Sequence, residues 1–400
     1  MSRFTQFFGA TPSGAAMLHP DIAPTITLAD GSVWLRAGVF ASPASYPEAA
    51  LLPHLKAISV SQIAYTFGNT GSSAASDGAG TIIMIAGASA ANINRSTDGG
   101  VTWASVTVSA SLGGLNAHHV YYLNGKFWAI ANDGTAVYVA ESTTGATGTW
   151  TQRTVITGLA TITASTALLD WTGTNFVVAI QSTSASNSIY TSPTGVTWTG
   201  RTTPFAFNGF IGLAASATGG TVVATRTSSY CVSTDHGATW GAGLVLPASA
   251  GFKGVFSVGN RFFVGLTNGI ASTTTPGTES SWARVGMPAD RLVPTTYAAA
   301  NAPLGFLSAD RSAFYTAIGG VAGMLRFNAS GQVEWRATDR NNFSSSSAAL
   351  VAEPGRVVFL NSSTASSRAS ADFDNTNAIA AGYESGASAT VPQATYVRVA

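Results

Sequence analysis

The chain has 400 residues, of which 46% are hydrophobic and only 9% are charged, and its 9 Trp, 11 Tyr and 20 Phe exclude a disordered protein. Its longest apolar runs are far shorter than the roughly 20 residues that span a bilayer, so we expect no membrane insertion. A formal net charge of +1 with scattered basic residues argues against a nucleic-acid partner, and a single cysteine, Cys231, excludes an internal disulfide and a cysteine-based zinc site, so we expect no cofactor and no metal.

Residues 1–55 have a composition of their own. The first residues, MSRFTQFFGATPSG, lack the apolar stretch of about 7–15 residues and the cleavage site of a secretory signal. The segment ITLADGSVWLRAGVF predicts a β-hairpin, and the proline-rich PASYPEAALLPHL is typical of a linker or docking segment. We therefore predict that residues 1–55 form an N-terminal arm that attaches the chain to another structure.

A tryptophan motif recurs through the rest of the chain. Ser96–Trp103 reads STDGGVTW, Ser233–Trp240 reads STDHGATW, and Thr191–Trp198 reads TSPTGVTW. Three looser copies end at Trp150, Trp282 and Trp335. Successive motif tryptophans are 42 to 53 residues apart, and a period in the forties with strands between is the signature of propeller blades.

Each motif follows a hairpin and a further strand. HHVYYLNGKFWAI and GVFSVGNRFFVGL, for example, read as two short apolar strands joined by a tight turn. A third strand leads into the tryptophan motif, and a fourth begins near its Trp. Every period therefore predicts four strands, which we call A to D, and the fold class is all-β.

The last repeat lacks a tryptophan of its own. SAALVAEPGRVVFLN reads as its strands A and B, SADFDNTNA around Asp372 as a decayed motif, and Ile58–Phe67 as its fourth strand. A ring closed in this way by an N-terminal strand has no exposed edges. We predict a seven-bladed propeller over residues 56–379, with six blades as the alternative, followed by a C-terminal tail at 380–400.

The two full motifs resemble the Asp-box, S-x-D-x-G-x-T-W, of sialidase-like and related β-propellers. The resemblance covers about residues 90–340 and implies that the motif is a structural turn between strands C and D, away from the ligand-binding face. The structural Asp-box residues are Ser96, Asp98, Gly100, Trp103, Trp150, Trp198, Ser233, Asp235, Gly237, Trp240, Trp282 and Trp335.

The loops at the opposite end of the blades are the candidate binding face. The loops between strands B and C, and those between successive blades, contain aromatic, amide and a few charged side chains that suit a neutral sugar or another polar ligand. The candidate binding residues are His118, Asn132, Asp133, Gln181, Phe205, Phe207, Asn208, Phe210, Arg226, Asn268, Asp290 and Arg291.

An enzyme is the less favoured reading. Sialidase-like enzymes hold a carboxylate with three arginines and use an acid with a Tyr–Glu pair, and no such set appears. A glycosidase needs two carboxylates about 5–10 Å apart, and Asp133 with Asp290 is the only convincing pair on the candidate face. We assign no catalytic residue, and a sialidase-like glycoside hydrolase stays an alternative.

The segment TLADGSVWLRAG in the arm resembles the head of bacteriophage tail proteins. The resemblance implies a virion tail component, a tail fibre or tail-tip protein, made in the host cytoplasm without a signal peptide. Its expected partners are other virion tail proteins, through residues 1–55, and a host cell-surface glycan or protein, through the loop face. A bacterial propeller scaffold that binds a protein is a further alternative, and the sequence leaves a homo-oligomer open.

Overall fold

The computed structural model describes residues 25–27, 33–40, 60–63, 71–86, 92–159, 162–182, 188–207, 212–226, 229–245, 254–266, 269–285, 306–317, 324–331, 333–337, 348–353, 356–361, 367–371 and 393–398. The chain divides into two compact units. One comprises residues 1–56 with 381–400, and the other comprises residues 57–380. In the described ranges, no helix is long and apolar enough to cross a membrane.

The first unit contains a three-stranded antiparallel sheet built from both ends of the chain. Its strands are β1 (Thr25–Thr27), β2 (Val33–Phe40) and β31 (Gln393–Arg398). β2 lies in the middle and pairs with β1 on one side and β31 on the other. The C-terminal segment is therefore a partner of the N-terminal hairpin, a pairing that the sequence pattern does not reveal.

The second unit contains seven four-stranded antiparallel sheets in its described residues. The first three are β4 (Gly71–Ser76), β5 (Ile82–Ala86), β6 (Asn92–Ser96) and β7 (Ala104–Thr107); β8 (His119–Leu123), β9 (Lys126–Asn132), β10 (Val137–Ser142) and β11 (Thr151–Gln152); and β12 (Ile162–Trp171), β13 (Phe176–Ser182), β14 (Ile189–Ser192) and β15 (Thr199–Arg201). The next three are β16 (Gly212–Ala215), β17 (Val222–Arg226), β18 (Ser229–Ser233) and β19 (Leu244–Val245); β20 (Val255–Val258), β21 (Arg261–Leu266), β22 (Gly269–Thr273) and β23 (Ala283–Arg284); and β24 (Phe306–Leu307), β25 (Phe314–Ala317), β26 (Met324–Phe327) and β27 (Val333–Ala337).

The seventh sheet joins strands from distant parts of the chain. It contains β28 (Ala348–Glu353), β29 (Arg356–Asn361), β30 (Ser367–Ala371) and, as its fourth strand, β3 (Val60–Ile63). β3 lies within the segment predicted for this position and pairs with β30 in an antiparallel register. The first strands of the seven sheets contact one another in chain order, and β28 contacts β4, so the sheets form a closed cycle.

Apolar side chains from adjacent sheets fill the space between them. Trp128 of the second sheet packs on Phe176 of the third, with ring centroids 4.4 Å apart. Tyr230 of the fourth sheet meets Trp282 of the fifth edge-on at 5.8 Å. Each large apolar side chain that is buried in this way contributes about 2–3 kcal/mol. The core is therefore divided into layers between the sheets.

The two full tryptophan motifs form the same hydrogen-bonded turn between strands C and D. In the first sheet, the Ser96 hydroxyl accepts from Gly100 N at 2.8 Å and donates to Asp98 at 2.8 Å. The Asp98 carboxylate also accepts from the backbone and the hydroxyl of Thr102, and Trp103 Nε1 donates to Gly100 O at 2.9 Å. The turn is thus held by its own side chains, as an N-capping Ser or Asp holds backbone amides.

The fourth sheet repeats this pattern. Ser233 Oγ accepts from Gly237 N at 2.9 Å, and the Asp235 carboxylate accepts from Ser233 Oγ and from Thr239 N, each at 2.8 Å. Trp240 Nε1 donates to Gly237 O at 3.1 Å. The two motifs, which match in sequence, therefore also match in geometry.

The looser motifs use other contacts. In the second sheet a hydroxyl pair, Ser142 with Thr149 at 2.6 Å, takes the place of the carboxylate, and Trp150 Nε1 still donates to the motif glycine. In the third sheet Ser192 Oγ accepts from Gly195 N at 2.8 Å. The first residue of this motif is therefore Ser192, whereas the sequence alignment with the other motifs suggests Thr191. Trp198 Nε1 is buried without a hydrogen-bond partner. Trp282 Nε1 donates to Tyr230 of the preceding sheet, and the Trp335 side chain lies outside the described residues.

The motif glycines pack against the second strand of the preceding sheet. All four have positive φ, between 68° and 89°, and a Cβ added to any of them would press on a side chain of that strand. The pairs are Gly100 with Val358, Gly145 with Ile83, Gly195 with Trp128, and Gly237 with Val177. The first of these pairs joins the first sheet to the seventh, so the same joint that links successive sheets also closes the cycle.

Candidate binding face

Antiparallel strands reverse direction at each turn. The loops between second and third strands, and those between successive sheets, therefore lie at the end opposite the tryptophan turns. Seven predicted binding residues on this face are described: His118, Asn132, Asp133, Gln181, Phe205, Phe207 and Arg226. The other five, Asn208, Phe210, Asn268, Asp290 and Arg291, lie outside the described residues.

One group of predicted residues comes together on the second sheet. Asn132 ends β9, and its side-chain oxygen accepts from Gly134 N at 3.3 Å, while its Nδ2 is buried without a hydrogen-bond partner. His118 enters the same sheet just before β8, and burial lowers the pKa of its imidazole, an effect opposed by a hydrogen bond to the Asn132 backbone. The imidazole is therefore a neutral donor that fastens the incoming loop to the end of β9.

Asp133 is committed to its own loop. Its Oδ1 accepts from Thr135 N at 2.8 Å, Thr135 Oγ1 at 2.9 Å and Ala136 N at 2.7 Å, and its Oδ2 accepts from the Tyr138 hydroxyl at 3.0 Å. These bonds, from the Thr135 backbone first, lower the pKa of Asp133 to about 2. A carboxyl with this pKa is ionised at neutral pH and is a poor general acid.

A second group lies where the loop from the third sheet reaches the fourth. The rings of Phe205 and Phe207 are 5.2 Å apart, and the Arg226 guanidinium carbon lies 4.2 Å from the Phe205 ring centroid. Phe205 is half-buried, whereas Phe207 is fully buried. Phe207 therefore packs among core residues that include Val177 and Ala215 and supports Phe205, which corrects the direct ligand contact predicted for it.

The Arg226 side chain is held in one orientation. Its Nε donates to Ser229 Oγ at 2.8 Å, its Nη1 donates to Ala206 O at 3.1 Å, and its planar group covers one side of Phe205. The residue as a whole is half-exposed. A fixed cation on an aromatic ring offers both planar stacking and hydrogen-bond donation to a ligand.

The remaining described candidate, Gln181, is half-exposed near the end of β13 in the third sheet. In ring order the third sheet stands between the sheets that carry the two groups. The described candidates thus fall on three consecutive sheets. Tyr138 and Ser229, which hold Asp133 and Arg226, were not predicted, because a hydroxyl that orients another side chain leaves no pattern in a single sequence.

One cluster of charged groups away from this face holds the fold of the second sheet. Glu141 is buried and contacts Lys126 Nζ at 2.7 Å as well as the guanidinium of Arg153. The part of the chain that the structure describes contains no group of three or more His, Cys, Asp or Glu that could hold a metal ion. The described part of the candidate face combines aromatic, amide, imidazole, carboxylate and guanidinium groups.

Comparison with known proteins identifies the architecture. A family model described as the DUF6242 beta propeller domain matches residues 99–252. The fold of this chain is a β-propeller. A comparison with the curated proteins finds no match.

Solved structures agree with the propeller over most of the chain. "YCF48 bound to D1 peptide" has a TM-score of 0.53 at 15% identity and covers 80% of this chain and 96% of its own. YCF48 from Cyanidioschyzon merolae has a TM-score of 0.52 at 14% identity, covering 79% of this chain and 99% of its own. PorZ, from the type-IX secretion system of Porphyromonas gingivalis, has a TM-score of 0.51 at 9% identity over 78% of this chain and 39% of its own. At these identities the likeness concerns the fold alone.

Proposed function

We propose that this chain is a seven-bladed propeller of the Asp-box type that serves as a bacteriophage tail component and binds a receptor through its loop face. The cycle of seven sheets supports the blade number, since each sheet corresponds to one blade. The matching turns at Ser96–Trp103 and Ser233–Trp240 support the Asp-box type.

The observation that carries the binding role is the Phe205–Arg226 pair. An aromatic ring half-buried on a packed neighbour, under a guanidinium held by two hydrogen bonds, is already ordered before a ligand arrives. Such pre-organisation reduces the entropy lost on binding. Several copies in one particle would add avidity, so weak single sites would suffice for attachment to a host glycan or protein.

Adsorption of the purified protein to host cells tests this role. Phe205→Ala and Arg226→Gln should each reduce adsorption severalfold, because each removes half of the pair. Val101→Ala is the matched control, since Val101 is 59% exposed on the opposite end of the first sheet. Equal adsorption by all three variants would contradict the proposed face. Prior treatment of the cells with glycosidases or proteases distinguishes a glycan receptor from a protein receptor.

The attachment role is proposed for the unit that contains the N-terminal arm. β31 pairs with β2, so a test that deletes only residues 1–55 would leave β31 without its partner. A variant restricted to residues 57–380 should keep its adsorption to cells but fail to enter assembled particles. Its recovery in purified virions at the level of the full chain, measured by mass spectrometry, would contradict the anchoring role.

The scaffold alternative keeps one point in its favour, because a similar structure is that of YCF48 bound to D1 peptide. Absence of the chain from purified virions, together with capture of a peptide ligand by the loop face, would support it. The hydrolase alternative is weaker, because both carboxylate oxygens of Asp133 already accept hydrogen bonds from its own loop and strand.

A further inference from the structure

The turn between the first two strands of the sixth sheet, Ser308–Ala313, reaches across the ring. Arg311 in this turn places its Nη2 2.5 Å from Asp170 Oδ1, and its Nη1 3.4 Å from Trp171 O. Asp170 and Trp171 belong to β12, the first strand of the third sheet. The third and sixth sheets are not neighbours in the cycle, so this ion pair spans the axis around which the sheets are arranged.

The same turn also approaches the first sheet. A Cβ added to Gly78, which lies in the corresponding turn of the first sheet, would be 3.4 Å from Ala309 Cβ. The seventh sheet stands between the first and the sixth, and it is the sheet that closes the ring through the short strand β3. The approach of Ala309 to Gly78 therefore links the sixth and first sheets directly, without passing through the seventh sheet.

Asp170 is well suited to anchor this turn. Its side chain is 7% exposed, its Oδ1 also accepts from Trp171 N at 2.8 Å, and its Oδ2 accepts from Ala215 N at 2.7 Å. Ala215 belongs to the first strand of the fourth sheet, so one carboxylate connects three sheets. A buried carboxylate that loses its cation is left with an uncompensated desolvation cost.

The turn itself is fixed by internal hydrogen bonds. Ser308 Oγ donates to Asp310 Oδ1 at 2.6 Å and accepts from Ala313 N at 3.0 Å, while Asp310 Oδ1 accepts from Ser312 N at 3.0 Å. Arg311 has a φ of 58°, a left-handed conformation that non-glycine residues seldom adopt. These contacts hold the Arg311 guanidinium on the line towards Asp170.

We infer that the Ser308–Ala313 turn, which we call the bolt, closes the axis of the ring at the end of the tryptophan turns. The bolt also keeps β3 paired with β30, and we call this pairing the seam of the ring. The bolt joins the sixth sheet to the third and reaches the first. Opening between β3 and β30 would let the first and seventh sheets move apart only if these contacts also broke.

Hydrogen–deuterium exchange of the full chain tests the bolt, because the exchange is measured in β3 and β30 and not in the turn itself. Arg311→Met should speed exchange in β3 and β30 on the order of tenfold, because opening at the seam no longer breaks a buried pair. Arg201→Met is the matched control, since the Arg201 Nε bond to Thr191, 2.8 Å long, stays within the third sheet. A change confined to residues 308–313 and 168–171, or an equal change at the seam in both variants, would overturn the inference.

A reversible disulfide provides a second test. Cysteines at Gly78 and Ala309 would have Cβ atoms about as close as those of a disulfide, roughly 3.5–4.5 Å. In the Arg311→Met background, oxidation of this pair should restore slow exchange at the seam, and reduction should remove it. If that background does not fold, the same pair beside native Arg311 should still slow the seam when oxidised. Exchange at the seam that is the same in the oxidised and reduced forms contradicts the bolt.

Discussion

The joint between successive blades can be tested at a pair of glycines in one turn. Gly145 and Gly148 both lie in the tryptophan turn of the second sheet, with φ of 68° and 79°. A Cβ on Gly148 would have nothing within 4 Å, whereas a Cβ on Gly145 would overlap Ile83 Cδ1 of the first sheet. Alanine at either position suffers the same backbone strain, so the difference between the two variants isolates the contact between blades.

The magnitudes follow from the two contributions. Left-handed backbone costs a non-glycine residue about 1–2 kcal/mol, and the reduced entropy of the unfolded chain returns about 0.4–1 kcal/mol. Gly148→Ala should therefore cost between about 0 and 1.6 kcal/mol. Gly145→Ala adds overpacking of about 1–3 kcal/mol, because Ile83 is fully buried and cannot move aside freely.

Chemical denaturation followed by tryptophan fluorescence measures both variants. Ile83→Val removes the overlapping methyl group and alone should cost about 0.5–1.5 kcal/mol. Combined with Gly145→Ala, it should cost less than the sum of the two single changes. Equal destabilisation by the two glycine variants, or strict additivity with Ile83→Val, would refute a joint between blades at this glycine.

Two further predictions concern the core and the charged turns. Burial opposes ionisation of Asp98 and Asp235, but hydrogen bonds within their turns, from Thr102 and Thr239 first, lower both pKa values to about 2 from 3.8. A lowered folded-state pKa gives stability that is complete above about pH 4 and is lost as the pH falls towards 2. The melting temperature, followed by circular dichroism, should fall over that window, and Asp98→Asn with Asp235→Asn should flatten the fall; an unchanged acid profile would count against this assignment. The Cys231 thiol is fully buried and burial raises its pKa, so it should react with thiol reagents only at the rate at which the fourth blade opens; rapid labelling of the native protein would show that this core is open.

The repeat made much of the fold predictable from sequence. Tryptophan motifs at a steady spacing indicate a repeated unit, and the hairpins between them indicate that the unit has four strands. Local signals of this kind survive because the two full motifs are each held by their own Ser, Asp and Gly, as the Ser96 and Ser233 turns illustrate. The decayed motif at Asp372 lies outside the described residues and stays a prediction.

Other features left no local signal. In the third motif, sequence alignment places the first residue at Thr191, whereas the structure places it at Ser192. The alignment fails because this turn is one residue shorter than those of the full motifs, so the capping role passes to the next residue. The burial of Phe207 could not be predicted from the sequence. Phe207 lies in a loop, and side chains in a loop do not alternate between buried and exposed positions with a fixed period. The Asp170–Arg311 pair joins residues 141 apart through the closure of the ring, and only the folded arrangement brings them together.

The closure of the ring is tested most directly by a disulfide between β3 and β30. The register places Ser61 opposite Ala369 and Gln62 opposite Arg368. Adjacent antiparallel pairs alternate between hydrogen-bonded and non-hydrogen-bonded positions, so double cysteine variants of both pairs sample both geometries. We predict that at least one pair forms an intramolecular disulfide in the native protein and raises its melting temperature. Failure of both pairs, with cysteines that crosslink between molecules or stay free, would contradict a ring closed by residues 60–63.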